Sequence, residues 1–155
     1  MIAPTSAPPR VLILTSPGIF GAEILRRLAA EPGLDIVGIG LTNRIYKGLG
    51  TLSGARKFLK RTGWKYTWYN ILTGPVAWNW LSLSGGLRPL KSLAPPRLIA
   101  DINDQPTRDW IASLAPDYIA SFYFNQWIGP EVRSLARRDA VNVHPSLLPT
   151  FRGPD

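Results

Sequence analysis

The sequence predicts an α/β fold with a mostly parallel sheet flanked by helices, and three observations carry that reading. Short unbroken apolar runs alternate with stretches of helical periodicity, as buried parallel strands alternate with crossover helices. The first two runs, Arg10–Thr15 and Asp35–Thr42, enclose a single helical stretch, which makes a βαβ unit with a right-handed crossover. The chain has 155 residues, 45% hydrophobic and 18% charged, an ordinary single-domain balance able to bury a core without staples.

The elements follow in order. Arg10-Val-Leu-Ile-Leu-Thr15 reads as a buried strand, and Ser16-Pro-Gly-Ile-Phe-Gly21 as the turn after it. Phe20, Ile24, Leu25 and Leu28 repeat at helical spacing until Pro32-Gly33 ends the helix. Asp35 to Thr42 is the second strand. The segment from about 43 to 96 reads as an insert without a clear rhythm. Within it, Ala55 to Thr62 is a basic helical turn or two. Tyr66 to Leu87 is uncharged and rich in Trp, Tyr, Leu and Ser. Gly74-Pro75 and Gly85-Gly86 interrupt that stretch and Asn70 and Asn79 would be stranded in lipid, so it does not span a bilayer. It is expected to be partly helical, with its Trp residues packed on the domain or on a partner. The rhythm then resumes: a strand at Arg97–Ile102, a helix from Pro106 with Trp110, Ile111 and Leu114 inward, and a strand at Tyr118–Phe122. A helix from Pro130 to Arg138 with a basic last turn and a final strand at Ala140–Val143 complete the series.

Composition removes several chemistries. The chain has no cysteine and a single histidine, His144, which excludes disulfides, thiolate nucleophiles and multi-histidine metal sites. Met1 to Arg10 contains three prolines and no apolar run of signal-peptide length, which points to the cytoplasm. The net charge of +8 is unevenly placed. From Ile36 to Ala100 there is no Asp or Glu, so residues 44–65 present an uncompensated basic block suited to an anionic surface.

Ligands of open α/β sheets collect beyond the carboxyl ends of the strands. After the first strand, Ser16-x-Gly18-x-x-Gly21 imitates a dinucleotide fingerprint, with Ser where the first glycine belongs; Arg44, after the second strand, suits a 2′-phosphate. After the fourth strand comes Ser121-Phe-Tyr-Phe-Asn-Gln-Trp-Ile128. Its flat apolar walls and two amides, Asn125 and Gln126, suit a planar heterocycle as well as they suit plain core packing. At the last strand, Asn142 and His144 are two residues apart and share a side. An amide can donate to a developing oxyanion, and an imidazole can move protons near neutral pH.

The stretch Asn142-Val-His-Pro-Ser-Leu-Leu-Pro149, followed by Arg152-Gly153, strongly resembles the signature of the folate-dependent formyltransferases. The opening βα unit, the Ile102-Asn103 region and the Asp117-Tyr-Ile-Ala-Ser-Phe strand fit in order, so the resemblance covers roughly residues 10–42 and 97–155. It implies a Rossmann-like domain over residues 1–155 that transfers a formyl group from 10-formyltetrahydrofolate to an amine, on a tRNA or a nucleotide sugar, without a metal. It implies that Asn142 and His144 are catalytic. Phe122, Tyr123, Phe124, Asn125, Gln126, Trp127 and Ile128 would line the folate pocket with Ser146, Leu147, Leu148 and Pro149. Ser16, Gly18 and Arg152 would meet the acceptor substrate.

Departures accompany the resemblance. The family's third catalytic residue is an aspartate beyond the motif, and Asp155, which follows the motif directly, is not that residue; residues 1–155 alone are therefore expected to be inactive. The turn after the first strand lacks the glycine richness of the glycinamide ribonucleotide branch, which leaves the sugar-modifying and tRNA branches. Two other classes stay open on the residues themselves. One is an NADP- or nucleotide-binding module without formyl transfer. The other is an interaction protein whose basic, Trp-rich insert docks on RNA or membrane.

Overall fold

A computed structural model describes residues 7–16, 19–42, 51–83, 93 and 95–143. Five strands, β1 (Arg10–Thr15), β2 (Asp35–Thr42), β3 (Arg97–Ile99), β4 (Tyr118–Phe122) and β5 (Asp139–Val143), form one sheet in the order β3-β2-β1-β4-β5. Every pairing is parallel, as the alternation of apolar runs and helices predicts. The helices are α1 (Ile19–Ala29), α2 (Thr51–Leu83), α3 (Gln105–Leu114) and α4 (Pro130–Arg133).

Alternation along β1 divides the core. Leu12 and Leu14 point to one face and meet Ile99, Ile102, Ile111, Ile119 and Val132, beneath α3 and α4. Val11 and Ile13 point to the other and meet Leu25, Ile39 and Phe122, beneath α1. Val11 to Leu14 are all buried, so β1 reads as a continuous hydrophobic run rather than an alternating one. One glycine makes the first of these layers possible. A Cβ on Gly40 would stand 2.4 Å from Ile99 Cδ1 and 2.7 Å from Leu14 Cδ2, both fully buried and unable to withdraw.

The α3 helix starts and stops for local reasons. Asp104 caps it by accepting from the Thr107 N–H at 2.8 Å, Pro106 occupies the first turn, and Ala115 closes it in the left-handed region at φ 43°. Strand β3 ends at Ile99, three residues earlier than its apolar pattern suggests, because the Ile99 and Ala100 carbonyls turn to the Gln126 amide. Helix α4 is four residues long rather than running to Arg138. Beyond Ser134 the backbone leaves the helix to bond with β4's approach, Arg137 N–H to Pro116 O at 2.9 Å and Arg138 N–H to Asp117 O at 2.9 Å.

Asp117 joins three segments. It accepts from the Arg10 backbone N–H at 2.9 Å and from Arg137 Nε at 3.1 Å. The Arg10 amide, followed by the Arg137 and Arg138 charges, holds its carboxyl below the usual 3.8. Stability from this group is present above the unfolded value and is lost as pH falls through the lower folded value. Asp117→Asn is expected to lower Tm near neutral pH and to leave it almost unchanged well below pH 3.8, as thermal melts across that range will read. An equal loss at both ends of the range would exclude this linkage.

Helix α2 carries the uncharged stretch in helical form as far as Leu83, as expected, and departs from expectation in where it breaks. It runs on through Gly74 and Pro75, and its break is at Gly63 instead, where φ 79° and ψ 162° are far from helical. Trp64, just before the uncharged stretch, and Trp68, within it, are 64% and 54% exposed and so do not pack on the domain, the first of the two expected places; the side chains of Trp78 and Trp80 lie outside the described ones.

Candidate active site

Helix α1 follows β1 toward β2, whereas β4 and β5 lie on β1's other side, so the strand order reverses between β1 and β4. In such sheets the crevice beyond the carboxyl ends at the reversal takes the ligand. Ser16 lies at the end of β1 and its hydroxyl donates to the Tyr123 carbonyl at the end of β4. Tyr123 holds φ 52°, rare for a side chain of that size, and its ring stacks on Phe20 with centroids 5.5 Å apart. Gly21 admits α1 to this corner: a Cβ there would lie 2.5 Å from the Ser16 carbonyl oxygen, which is backbone and cannot yield.

A cavity of about 230 Å³ opens beside the ends of β4 and β5. Ser121 and Asn142 are register partners and both line it, as do Ile119 and Ala140 one pleat earlier. Phe124, Gln126, Trp127 and Ile128 form its wall, and Arg133 of α4 adds a cation. The volume falls below that of a drug-sized pocket, so it suits one ring system or one end of a larger ligand.

The Ser121 hydroxyl, 2% exposed, donates to Asn142 Oδ1 at 2.9 Å. With its oxygen so engaged, the Asn142 amide offers its NH₂ end to a ligand. Asn142 is exposed at the strand's end. Ser121 is the partner that sequence reasoning passed over. The signal was present: a small hydroxyl residue at the end of an otherwise apolar strand, four residues after Asp117. Arg133 was passed over too. Its guanidinium lies 5.8 Å from the Trp127 ring centroid.

The segment after β4 is held by its own polar groups. Gln126 is 8% exposed; its Oε1 accepts from the Ile102 N–H at 2.8 Å, and its Nε2 donates to Thr42 Oγ1 at 3.2 Å and to the Ile99 carbonyl at 3.3 Å. Asn103 clasps the same segment from outside, donating to the Trp127 carbonyl and accepting from the Gly129 N–H, each at 2.8 Å. The Gln126 amide is thus spent on the scaffold, and its contribution to the cavity is to position the wall.

The expected pocket residues take different places. Phe122, 3% exposed, points away from the cavity into the core under α1. Tyr123 faces the Ser16 corner, Asn125 is half-buried outside the cavity lining, and Phe124, Trp127 and Ile128 line it. Gly18, Arg44, His144, Ser146, Leu147, Leu148, Pro149 and Arg152 lie outside the described residues. Among the described residues no three His, Cys, Asp or Glu side chains gather as a metal site.

Residues 95–155 match the formyl transferase family. A formyltransferase-like domain therefore covers part of the chain, from just before β3 through the segment that follows β5. The match contains both sides of the cavity and the Asn142–Pro149 motif; residues 10–42 lie outside it. The parallel sheet with helices on both faces is the Rossmann-like arrangement of a formyltransferase N-terminal domain.

Proposed function

We propose that this protein transfers a formyl group from 10-formyltetrahydrofolate to an amine, at the cavity between β4 and β5. The observation that carries the reading is the family match across residues 95–155, with Asn142 standing in a cavity at the carboxyl end of β5. In this reading residues 1–155 belong to one catalytic domain, and residues 43–96 are an insert in it.

The acceptor amine attacks the formyl carbon, and a new C–N bond forms as the carbonyl oxygen takes negative charge. The Asn142 NH₂ group donates to that oxygen, and His144 shares the charge and takes the proton lost by the amine. Collapse of the tetrahedral centre breaks the bond to the folate nitrogen, which receives the proton as it leaves. Donors aimed at a developing oxyanion in a partly enclosed site are worth more than in water. Phe124, Trp127 and Ile128 offer a flat apolar wall for the donor's ring system, and Arg133 offers a partner for a carboxylate or phosphate. Ser16 and Arg152 are assigned to the acceptor side, a methionyl-tRNA or an amino-sugar nucleotide, along with Gly18.

The test is a formyl-transfer assay with the full-length protein, 10-formyltetrahydrofolate and both kinds of acceptor. Transfer to either acceptor is expected. Absence of transfer, together with tight binding of NADP, would replace this reading with a nucleotide-binding module.

Ser121 supplies a finer prediction. It touches Asn142 and not the reacting atoms, so it is a positioning residue. Ser121→Ala frees the amide to rotate and is expected to lower kcat about 10-fold, with little change in KM for the donor. Ser121→Thr, which keeps the hydroxyl, is expected to recover part of the loss. A KM effect with unchanged kcat would mean that Ser121 acts on binding alone.

A further inference from the structure

Helix α2 combines features that the formyl-transfer reading leaves unused. Before Gly63, Arg56, Lys57, Lys60 and Arg61 occupy one flank at positions i, i+1, i+4 and i+5. Leu52, Ala55, Phe58, Leu59 and Thr62 occupy the other, and Leu52 and Leu59 are 88% and 43% exposed. After Gly63, Trp64, Trp68 and Leu72 recur at i, i+4 and i+8 on a single stripe, all more than half exposed. Tyr66 and Tyr69 are exposed on other faces of the same turns, and Lys65 lies 5.9 Å from the Trp64 ring centroid. From Tyr66 to the end of the helix at Leu83 there is no charged residue, and no acidic residue stands anywhere between Ile36 and Ala100.

We propose that α2 docks the protein on an anionic phospholipid surface, lying in the plane of the headgroups. The charge fits: a basic flank with no acid near it in the sequence matches the negative potential of such a surface. The stripe fits as well, since Trp and Tyr reside at headgroup depth with apolar rings toward the acyl chains. The alternative, spanning the bilayer, fails because no described helix is long and apolar enough to cross. A single-stranded RNA would be tracked by cations running alongside the stacking aromatics. Here the cations end at Lys65, and the aromatic stripe continues into an uncharged helix. The break at Gly63 lets the basic and aromatic halves take different inclinations, one along the headgroups and one into the interface.

The experiment uses the full chain and unilamellar vesicles, one set of phosphatidylcholine and one with a third of the lipid replaced by phosphatidylglycerol. Co-sedimentation measures binding, and a blue shift of Trp emission with quenching by brominated lipid reports ring depth. Binding to the anionic vesicles at least 10-fold tighter than to the neutral ones is expected, weakening as salt rises. A K57E/K60E/R61E variant is expected to lose on the order of 100-fold of that affinity. W64S/W68S is expected to lower the quenching signal, leaving what Trp78 and Trp80 contribute, while circular dichroism stays unchanged. Equal binding of the unmodified chain to both vesicle types, or displacement from anionic vesicles by RNA at equimolar phosphate, would overturn the proposal. The lipid dependence of the unmodified chain decides this even if a variant misfolds.

Discussion

Asn142→Ala is expected to lower kcat for formyl transfer about 10²- to 10³-fold, with KM for the donor changed less than threefold. The Asn142 side chain is held by the Ser121 hydroxyl at 2.9 Å and stands at the mouth of the cavity, so truncation removes a donor already aimed. The loss falls on kcat because the interaction strengthens only as the carbonyl oxygen becomes charged. Asn142→Asp keeps the shape but presents negative charge to a developing negative charge, and is expected to be at least as impaired. His144→Ala is expected to cost about 10²- to 10⁴-fold, as for other positioned general bases. Steady-state kinetics on the full-length protein give these numbers. Asn142→Ala within threefold of the unmodified rate would move the oxyanion site elsewhere.

Gln126→Leu is expected to destabilise the fold by about 2–4 kcal/mol. The substitution keeps apolar bulk, so the cost is polar. It strands the buried Ile102 N–H, which donates to Gln126 Oε1 at 2.8 Å, and it removes the donor serving Thr42 and the Ile99 carbonyl. Those partners belong to the ends of β2 and β3, so one side chain bolts the segment after β4 across two strands that are not its neighbours. Urea denaturation with both variants measured at equal m-value gives the figure. A loss under about 1 kcal/mol would show that water enters and replaces the amide.

Strands β1, β2 and β4 were legible to the residue because they are buried on both faces, and such strands write their whole length as apolar residues. β3 and α4 were over-read because tertiary bonds end them. The Gln126 amide captures the backbone at Ile99 and Ala100, and Pro116 and Asp117 capture it at Arg137 and Arg138. Neither event leaves a trace in local periodicity. Gln126 looked like a ligand group for the same reason: an amide among aromatics reads alike whether its partners are heterocycle or backbone. The position of Asn142 beside the cavity, as distinct from its role, was legible because strand parity assigns it a side and its strand's end assigns it a place. Phe122 was misjudged by that same parity, which turns it from Ser121 to the opposite face. The Gly63 break was missed because Gly74-Pro75 offers the stronger nominal helix breaker, while Gly63 alone adopts the positive φ.

Strands β2 and β3 are adjacent and parallel, with Gly40 opposite Arg97. Antiparallel neighbours can be joined by a two-residue turn, but parallel ones require a return journey along the whole strand length, about a dozen residues at the least. The stretch carrying α2 is that return journey, lengthened several-fold. It is therefore not an ornament that can be excised at its base. Any shortened version must still bring the chain back to the sheet's amino edge before β3 begins. The length beyond that minimum is where sequence drift can act without cost to strand pairing, which gives this part of the chain unusual freedom to acquire a surface of its own.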